Sequence, residues 1–276
     1  MKVSLFGRIA SYLILSGATL IALFPIYWTF ITSLRDRVDI FAQVPVFFGG
    51  NLSFDNWVSV AGDPVFLNAL FATIMVTVIA TVLTVFAGTL AAYAIVRSPK
   101  FIGRTSFSSW LIVIRAVPGV VLAVPLYQIV VGAGLYDNPI ALAICYAAIN
   151  LPFSVWLMVG FIQGIPVQIE ESARIDGASQ FKIFTKVLLP LLKSGLGATT
   201  IFVAMLCWNE FLMPLILADQ SAKTLPVYVA GFVTSQTINY GGMAAAACLC
   251  IVPIAIITIA VQKQLVSGLS LGAVKD

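Results

Sequence analysis

Residues Glu170–Pro190 read EESARIDGASQFKIFTKVLLP, and this stretch decides the fold class. Six of its residues are charged and Lys193 follows closely, whereas long apolar segments stand on both sides. A charged segment between membrane spans cannot lie in hydrocarbon, so it must face water. A plain connection between helices needs only a few residues. The length of this polar island, residues 166–193, therefore indicates a function of its own.

The composition predicts an integral membrane protein. The chain has 276 residues, of which 61% are hydrophobic and 9% are charged, against about 25% charged residues in a typical soluble domain. There is no histidine, the commonest general base. Four cysteines lie in apolar runs without metal-ligand spacing, so neither a disulfide framework nor a metal site is expected. A phosphate-binding Gly-x-x-x-x-Gly-Lys-Ser/Thr loop is also missing from the sequence.

The gaps between charges predict an all-α fold of six transmembrane helices. The first gap, between Arg8 and Arg35, holds 26 uncharged residues. At about 1.5 Å per residue this length exceeds the ~30 Å hydrocarbon core, and we interpret it as an uncleaved span. The other five predicted spans are 65–96, 107–131, 140–165, 191–217 and 241–261.

The distribution of basic residues predicts the orientation. With both termini placed in the cytoplasm, eleven of the fifteen Lys and Arg residues lie in cytoplasmic segments and three in outer loops. Arg115, the remaining one, lies inside a predicted span. Basic loops are retained on the inner side, so the polar island is predicted to face the cytoplasm. The net charge of +4 follows from this bias and does not indicate nucleic-acid binding.

The outer loop, residues 35–64, combines turn-forming residues with four aromatic side chains: Phe47, Phe48, Phe54 and Trp57. Aromatic residues at the membrane surface are ordinary anchors. A docking surface for an external protein is the alternative interpretation.

The polar island is predicted to form two helices around a glycine. Pro166 suits a helix start, Gly177 a break, and Ser179 the cap of a second helix at about 180–189. Phe181, Phe184 and Leu188 share one face of that helix and are expected to dock on the bundle. Protein docking, an interfacial helix and a structural loop all remain possible functions. The acidic residues argue against an interfacial helix on an anionic leaflet.

This island resembles the "EAA" loop of permease subunits in bacterial ATP-binding-cassette importers. Further motifs similar to the carbohydrate-uptake class are Leu151-Pro152-Phe153 with Trp156, Trp208-Asn209-Glu210-Phe211, Thr224-Leu225-Pro226-Val227 and the tail Gly268–Lys275. Together they cover about residues 65–276, and the tail resembles that of the shorter, maltose-type permease partner. Ser172 departs from the family pattern, which usually has alanine there.

The resemblance implies a type I importer fold, a single permease domain over residues 1–276, and an inner-membrane location in bacteria. It implies a second homologous permease, two ATPase subunits that carry ATP and Mg²⁺, an extracellular solute-binding protein and a carbohydrate substrate. This chain would bind no cofactor and catalyse no reaction. The ATPase-coupling residues would be Glu171, Ser172, Ala173, Asp176, Gly177 and Ala178. Gly268, Gly272 and Lys275 would lie at the ATPase interface.

Two charged residues lie within predicted spans, Arg115 in the third and Glu210 in the fifth. Such residues are costly in hydrocarbon and should face protein or water. They could pair with each other; alternatively, Arg115 snorkels to an interface and Glu210 forms structural hydrogen bonds. Pro118, Pro125 and Pro214 should kink the same spans, which are therefore the first candidates to line a substrate pathway. The candidate pathway residues are Arg115, Tyr127, Asn150, Trp156, Trp208, Asn209 and Glu210.

Two other classes of protein were weighed against an ATP-driven importer. A membrane enzyme would need a cluster of His, Asp or Glu residues near one membrane face, which the sequence does not provide. A self-sufficient secondary transporter would leave the polar island unexplained. The sequence alone does not reveal which sugar, polyol or sugar phosphate is carried.

Overall fold

The computed structural model describes residues 5–42, 47–98, 110–111 and 113–273, and every regular element that it defines there is a helix. The helices are α1 (Leu5–Ser33), α2 (Arg37–Ile40), α3 (Asp55–Ala61), α4 (Pro64–Arg97), α5 (Gly119–Gly132), α6 (Pro139–Gln163), α7 (Val167–Ile175), α8 (Gln180–Leu191), α9 (Lys193–Trp208), α10 (Leu212–Leu217), α11 (Leu225–Ala230) and α12 (Tyr240–Ala273). The all-α prediction is confirmed.

Three of the described helices are individually long and apolar enough to cross a membrane: α1, α4 and α6. The pair α8 and α9 passes the same test as one broken span, bent by 76°. Two further apolar helices are shorter, α5 and the first part of α12, residues 240–256. These segments correspond in position to the six predicted spans, although the third and the fifth are interrupted.

Each interruption lies at or just before a proline that was expected to bend the span. In the third span, residues 116–118 separate a short helical stretch ending at Arg115 from α5, whose N-cap is Pro118. In the fifth span the helix ends at Trp208 and restarts at Leu212. Pro214, which was expected to interrupt this span by freeing the Glu210 carbonyl, is the third residue of α10. The break at residues 209–211 lies directly before it, and the Glu210 carbonyl accepts a bond from the Tyr146 hydroxyl, so the predicted interruption is confirmed as a full break of the helix.

The described chain forms two compact units. The first comprises the residues up to Leu67 together with Tyr228–Val252. Its outer-loop aromatics pack on the end of α1: the ring of Phe47 lies 5.6 Å from that of Trp28, and the ring of Trp57 lies 6.1 Å from that of Phe30. The Trp57 indole also donates to the Ser33 hydroxyl at 2.9 Å. These contacts fold the loop onto the helix that precedes it.

The second unit, residues 68–227 with those from Pro253 onward, is built on α4 and α6. Its core contains large side chains with almost no exposure, among them Tyr146, Met158 and Ile162 of α6. Gly88 of α4 lies directly against Ser154 of α6, and a Cβ atom at position 88 would collide with that side chain. The two helices cross closely because this position carries no side chain.

Asp137 joins two loops of the second unit. It has a φ of 56° and lies between α5 and α6. Its carboxylate accepts hydrogen bonds of 2.8–3.1 Å from the backbone N–H groups of residues 219–222. Partial burial acts to raise the pKa of Asp137, but these four donors outweigh it and hold the pKa at about 2. The carboxylate thus fixes the connection after α10 against the start of α6.

Replacing Asp137 with asparagine is expected to lower the free energy of unfolding by about 1 kcal/mol at pH 7, after allowance for solvent screening. Asparagine tolerates the same positive φ, so the change isolates the charge. The pKa of Asp137 is lower in the folded state than in the unfolded state. Its contribution to the free energy of unfolding is therefore fully present above the unfolded pKa of about 3.9 and is lost as the pH falls towards 2. Thermal unfolding across that range should show the two proteins converging, whereas the exposed neighbour variant Asp219→Asn should match the wild type throughout.

Candidate functional site

The turn of the polar island is a regular helix-ending motif. Helix α7 ends at Ile175 with Asp176 as its C-cap, and Gly177 follows with a φ of 84°. The Ala178 N–H donates to the carbonyl of Ala173 at 3.0 Å, and the Gly177 N–H to that of Arg174 at 3.0 Å. This pair of bonds is a Schellman motif, in which glycine supplies the left-handed residue. The predicted break at Gly177 is confirmed.

The second helix begins as predicted and docks through two of the three predicted residues, Phe184 and Leu188, together with Ile183. The Ser179 side chain caps it by accepting a bond from the Lys182 N–H. Ile183 and Leu188 are fully buried, whereas Phe181 is 77% exposed. The expectation that Phe181 docks on the bundle is therefore wrong. The π-helical turn at Ile183–Leu188 changes the helical period, so the predicted 3/4 spacing does not describe the buried face.

A buried ion pair holds α7 against the membrane-spanning helices. Glu170 is 3% exposed, and its Oε1 lies 2.6 Å from Nε of Arg97, the last residue of α4. Tyr93, one turn earlier on α4, donates to the other carboxylate oxygen at 2.9 Å. Arg97 also donates to the carbonyls of Ile162 and Ile165 at the end of α6, at 3.3 and 2.9 Å. One guanidinium thus joins α4, α6 and α7.

The same network extends to the second helix of the island. Gln180, the first residue of α8, donates to the Tyr93 hydroxyl and accepts a bond from Arg174 at 3.1 Å. The aromatic rings of Tyr93 and Phe184 lie 5.1 Å apart. Both helices of the island are therefore anchored to the last turn of α4.

The predicted coupling residues lie on the outside of this anchored element. Glu171, Ser172, Asp176 and Gly177 are exposed, and Ala173 and Ala178 are half-buried. The Ser172 hydroxyl donates to a carbonyl of its own helix at 2.9 Å, so its departure from alanine leaves the helix intact. Sequence reasoning missed Ile175, which is 87% exposed beside the turn. We refer to Ile175 and Phe181, the two most exposed large apolar residues of the island, as its apolar tip.

Replacing Gly177 with valine is expected to destabilise the turn by about 1–2 kcal/mol, because an L-residue is strained in the left-handed region. Nothing lies within 4 Å of an added Cβ atom, so the cost comes from the backbone alone. Local amide hydrogen exchange in residues 173–179 would measure it as faster exchange. Gly160→Ala is the matched control, because Gly160 has equally open space but helical geometry, and its exchange should be unchanged. Equal exchange in Gly177→Val and the wild type would contradict the assignment.

A second polar cluster lies at mid-length of α6. The Asn150 amide donates to the Tyr146 carbonyl at 2.9 Å, and its oxygen is contacted by the Arg115 guanidinium at 3.4 Å. The Tyr146 hydroxyl donates to the Glu210 carbonyl at 3.4 Å, which lies in the break of the fifth span. The Glu210 carboxylate accepts bonds from the Leu212 and Met213 N–H groups at 3.0 and 3.2 Å and so caps α10.

Arg115 and Glu210 do not form an ion pair, although both are fully described. The hypothesis that they pair is therefore wrong, and the structural hydrogen-bond alternative for Glu210 is the correct one. Helix α10 begins at Leu212, and the first N–H groups of a helix have no partner within it. The Glu210 carboxylate accepts bonds from two of these groups, those of Leu212 and Met213.

The remaining candidate pathway residues are dispersed. Trp156 is 39% exposed and its ring stacks on that of Phe153 at 6.2 Å, next to Arg115. Tyr127 packs against Tyr136 at 6.4 Å. Trp208 is buried in the core, so it offers no surface to a ligand, and the exposed Asn209 bonds the carbonyl of Met205. In the tail, Gly268 and Gly272 continue α12, and Lys275 lies outside the described residues.

Comparison with known proteins identifies the family. Residues 84–271 match the family described as binding-protein-dependent transport system inner membrane component. The chain is 32% identical to the diacetylchitobiose uptake system permease protein DasC of Streptomyces coelicolor, over 100% of both chains. It is 32% identical to the trehalose transport system permease protein SugB of Mycobacterium tuberculosis, over 92% of this chain and 93% of the relative.

The fold also matches a solved structure. A chain of a bacterial ABC transporter involved in the import of the acidic polysaccharide alginate superposes with a TM-score of 0.79 at 25% identity, covering 95% of this chain and 99% of that one. The anchored island and the interrupted spans thus occur in a type I ABC importer permease fold. By sequence and by structure, this chain is a multi-pass membrane protein of the family of inner-membrane components of binding-protein-dependent transport systems.

Proposed function

We propose that this chain is a permease subunit that imports a sugar or sugar-like solute, driven by ATP hydrolysis in partner subunits. The relatives named above transport diacetylchitobiose and trehalose, which supports a saccharide as the substrate. The family description supports dependence on a solute-binding protein. The assembly would contain a second homologous permease and two ATPase subunits, and ATP and Mg²⁺ would be bound by the ATPases.

In this proposal the chain is one permease domain in a bacterial inner membrane, with both termini and the polar island in the cytoplasm. The excess of basic residues in the segments assigned to the inner side supports that orientation. The outer loop, residues 35–64, would face the solute-binding protein. The tail from Gly268 to Lys275 would lie near the ATPase interface, where small residues allow close approach.

One observation carries the proposal: buried side chains attach the island to membrane-spanning helices, while other residues of the island are exposed. Arg97 ties α7 to the ends of α4 and α6 through Glu170 and two carbonyls. Glu171, Asp176 and the apolar tip are exposed. An ATPase that binds the tip would therefore move α7 together with two membrane-spanning helices. Closure of the ATPase dimer would then switch the access of the pathway from the inner to the outer side.

Replacing Glu171 with lysine tests this function. Glu171 is exposed beside the buried Glu170, so reversing its charge should leave the fold intact. We expect sugar uptake to fall by at least about tenfold, because a contact with a basic group of the ATPase becomes repulsive. Uptake into vesicles and co-purification of the ATPase would both be measured, with Lys186→Glu, on another exposed face of the island, as the control. Wild-type uptake by Glu171→Lys at normal expression would refute the proposed role.

A further inference from the structure

The Arg115 guanidinium lies deep within the membrane-spanning part of the second unit. It contacts Asn150, which is the twelfth of the 25 residues of α6. At about 1.5 Å per residue, Asn150 is about 17 Å from one end of that helix and about 20 Å from the other. A basic side chain can snorkel to the membrane surface when it lies near the end of a helix. Arg115 contacts the middle of α6, so snorkelling does not explain its position.

Arg115 has no compensating charge within the described chain. All the acidic residues except Asp276 are described, and none forms an ion pair with it. The only acid within the predicted spans, Glu210, is occupied by the N–H groups of Leu212 and Met213. Of the five N–H bonds of the guanidinium, one has a partner among the described residues, the Asn150 oxygen. Four of its N–H bonds thus have no partner among the described residues, and an anion from outside the chain would satisfy them and neutralise the charge.

The surface next to Arg115 suits a sugar ring. The guanidinium lies 4.5 Å from the centre of the Phe153 ring, and Phe153 stacks on Trp156 with an interplanar angle of 26°. Trp156 is 39% exposed, and aromatic rings offer a flat apolar face to a sugar. The buried Asn150 amide is bonded to Tyr146, Cys207 and Arg115, so its role is to hold the guanidinium in place.

We propose that Arg115, with Phe153 and Trp156, forms a subsite for the negatively charged group of an acidic saccharide, such as a uronic acid. This inference rests on the proposed transport function and narrows its substrate class. Hydroxyl groups of a neutral sugar could bond the guanidinium but would leave its charge uncompensated. A carboxylate accepts two parallel N–H bonds and neutralises the charge, which favours the acidic ligand.

The test compares two disaccharides of the same size, digalacturonate and the neutral galactobiose. Equilibrium binding of each would be measured on the assembled permease–ATPase complex in lipid nanodiscs, without binding protein and without nucleotide. We expect digalacturonate to bind at least about tenfold more tightly than galactobiose, with a preference that weakens as salt is raised. Arg115→Gln should abolish the preference, because it lowers the affinity for digalacturonate far more than the affinity for galactobiose, and Arg115→Lys should keep part of the preference.

Several outcomes would overturn the inference: equal binding of the two sugars, no saturable binding of either, or a preference that survives Arg115→Gln. If Arg115 instead pairs with a carboxylate of the second permease, the wild-type complex will show no preference and Arg115→Gln will disrupt permease pairing. If the Arg115→Gln complex does not assemble, three measurements still test the subsite: the preference of the wild type for digalacturonate, the salt dependence of that preference, and the preference of Arg115→Lys. Assembly and sugar-stimulated ATP hydrolysis of the same preparations report on the transport function separately, so failure of the subsite is distinguishable from failure of the function.

Discussion

Glu170→Gln is expected to lower the free energy of unfolding of the permease by about 3 kcal/mol and to abolish uptake. The substitution leaves the Arg97 charge without its partner where the two side chains are 15% and 4% exposed, and removing one member of a buried pair is strongly destabilising. Arg97 keeps its bonds to Ile162 and Ile165, so the effect should fall at the lower end of the range for buried pairs. Thermal unfolding of the detergent-purified chain would measure the loss, and vesicle uptake would measure its consequence.

The neighbouring substitution Glu171→Gln is the matched control, because it makes the same chemical change on the exposed side of α7. It should unfold like the wild type. A double-mutant cycle that combines Glu170→Gln with Arg97→Gln would isolate the interaction energy between the two side chains. We expect this coupling energy to exceed about 1 kcal/mol. Additive losses, or equal stability of Glu170→Gln and Glu171→Gln, would contradict the anchoring role of this pair.

Ile175→Asp is expected to separate the permease from its ATPase without unfolding it. Ile175 is 87% exposed in the isolated chain, so an aspartate there costs little in folding. In the assembly its burial would contribute roughly 1.5–3 kcal/mol, and a buried carboxylate adds a desolvation cost. Binding of the ATPase should therefore weaken by at least about tenfold. Co-purification and surface-based binding measurements on the full complex would detect this.

Val38→Asp serves as the control for Ile175→Asp. Val38 is 82% exposed but lies in α2, in the first compact unit. It should bind the ATPase like the wild type. Normal ATPase binding by Ile175→Asp would show that the apolar tip is not buried against the ATPase.

The local structure of the polar island could be predicted well from the sequence. The glycine break, the Ser179 cap and the two-helix arrangement depend on residues within a few positions of one another, and propensity describes such contacts. The docking face could be predicted only in part: Phe184 and Leu188 lie on it, but a π-helical turn before Pro190 changed the period and placed Ile183 there in place of Phe181. Proline has no N–H to donate to the carbonyl four residues earlier, which interrupts the α-helical bonding pattern. A prediction based on the α-helical period is therefore least reliable in the turn before Pro190.

Long-range polar contacts could not be derived from the sequence. Glu170 and Arg97 are 73 positions apart, and from the sequence Glu170 was placed only within the charged, water-facing island. Two features of the sequence nevertheless pointed to this ion pair. Arg97 follows the second predicted span, and the island contains two consecutive acidic residues, Glu170 and Glu171, although one exposed acid is enough for a contact with the ATPase. For Glu210 the opposite charge of Arg115 suggested a pair, but the free N–H groups at the start of α10 are nearer partners.

We expect the apolar tip of the polar island to bind the ATPase subunit. Photo-crosslinking can detect this contact, with a benzoylphenylalanine placed at position 175 in the assembled transporter and, as the comparison, at position 38, which is similarly exposed. Position 175 should give a covalent permease–ATPase product whose yield changes when ATP is added, and position 38 should give none. If position 175 gives no ATPase adduct in a complex that co-purifies with its ATPase, the tip does not bind the ATPase.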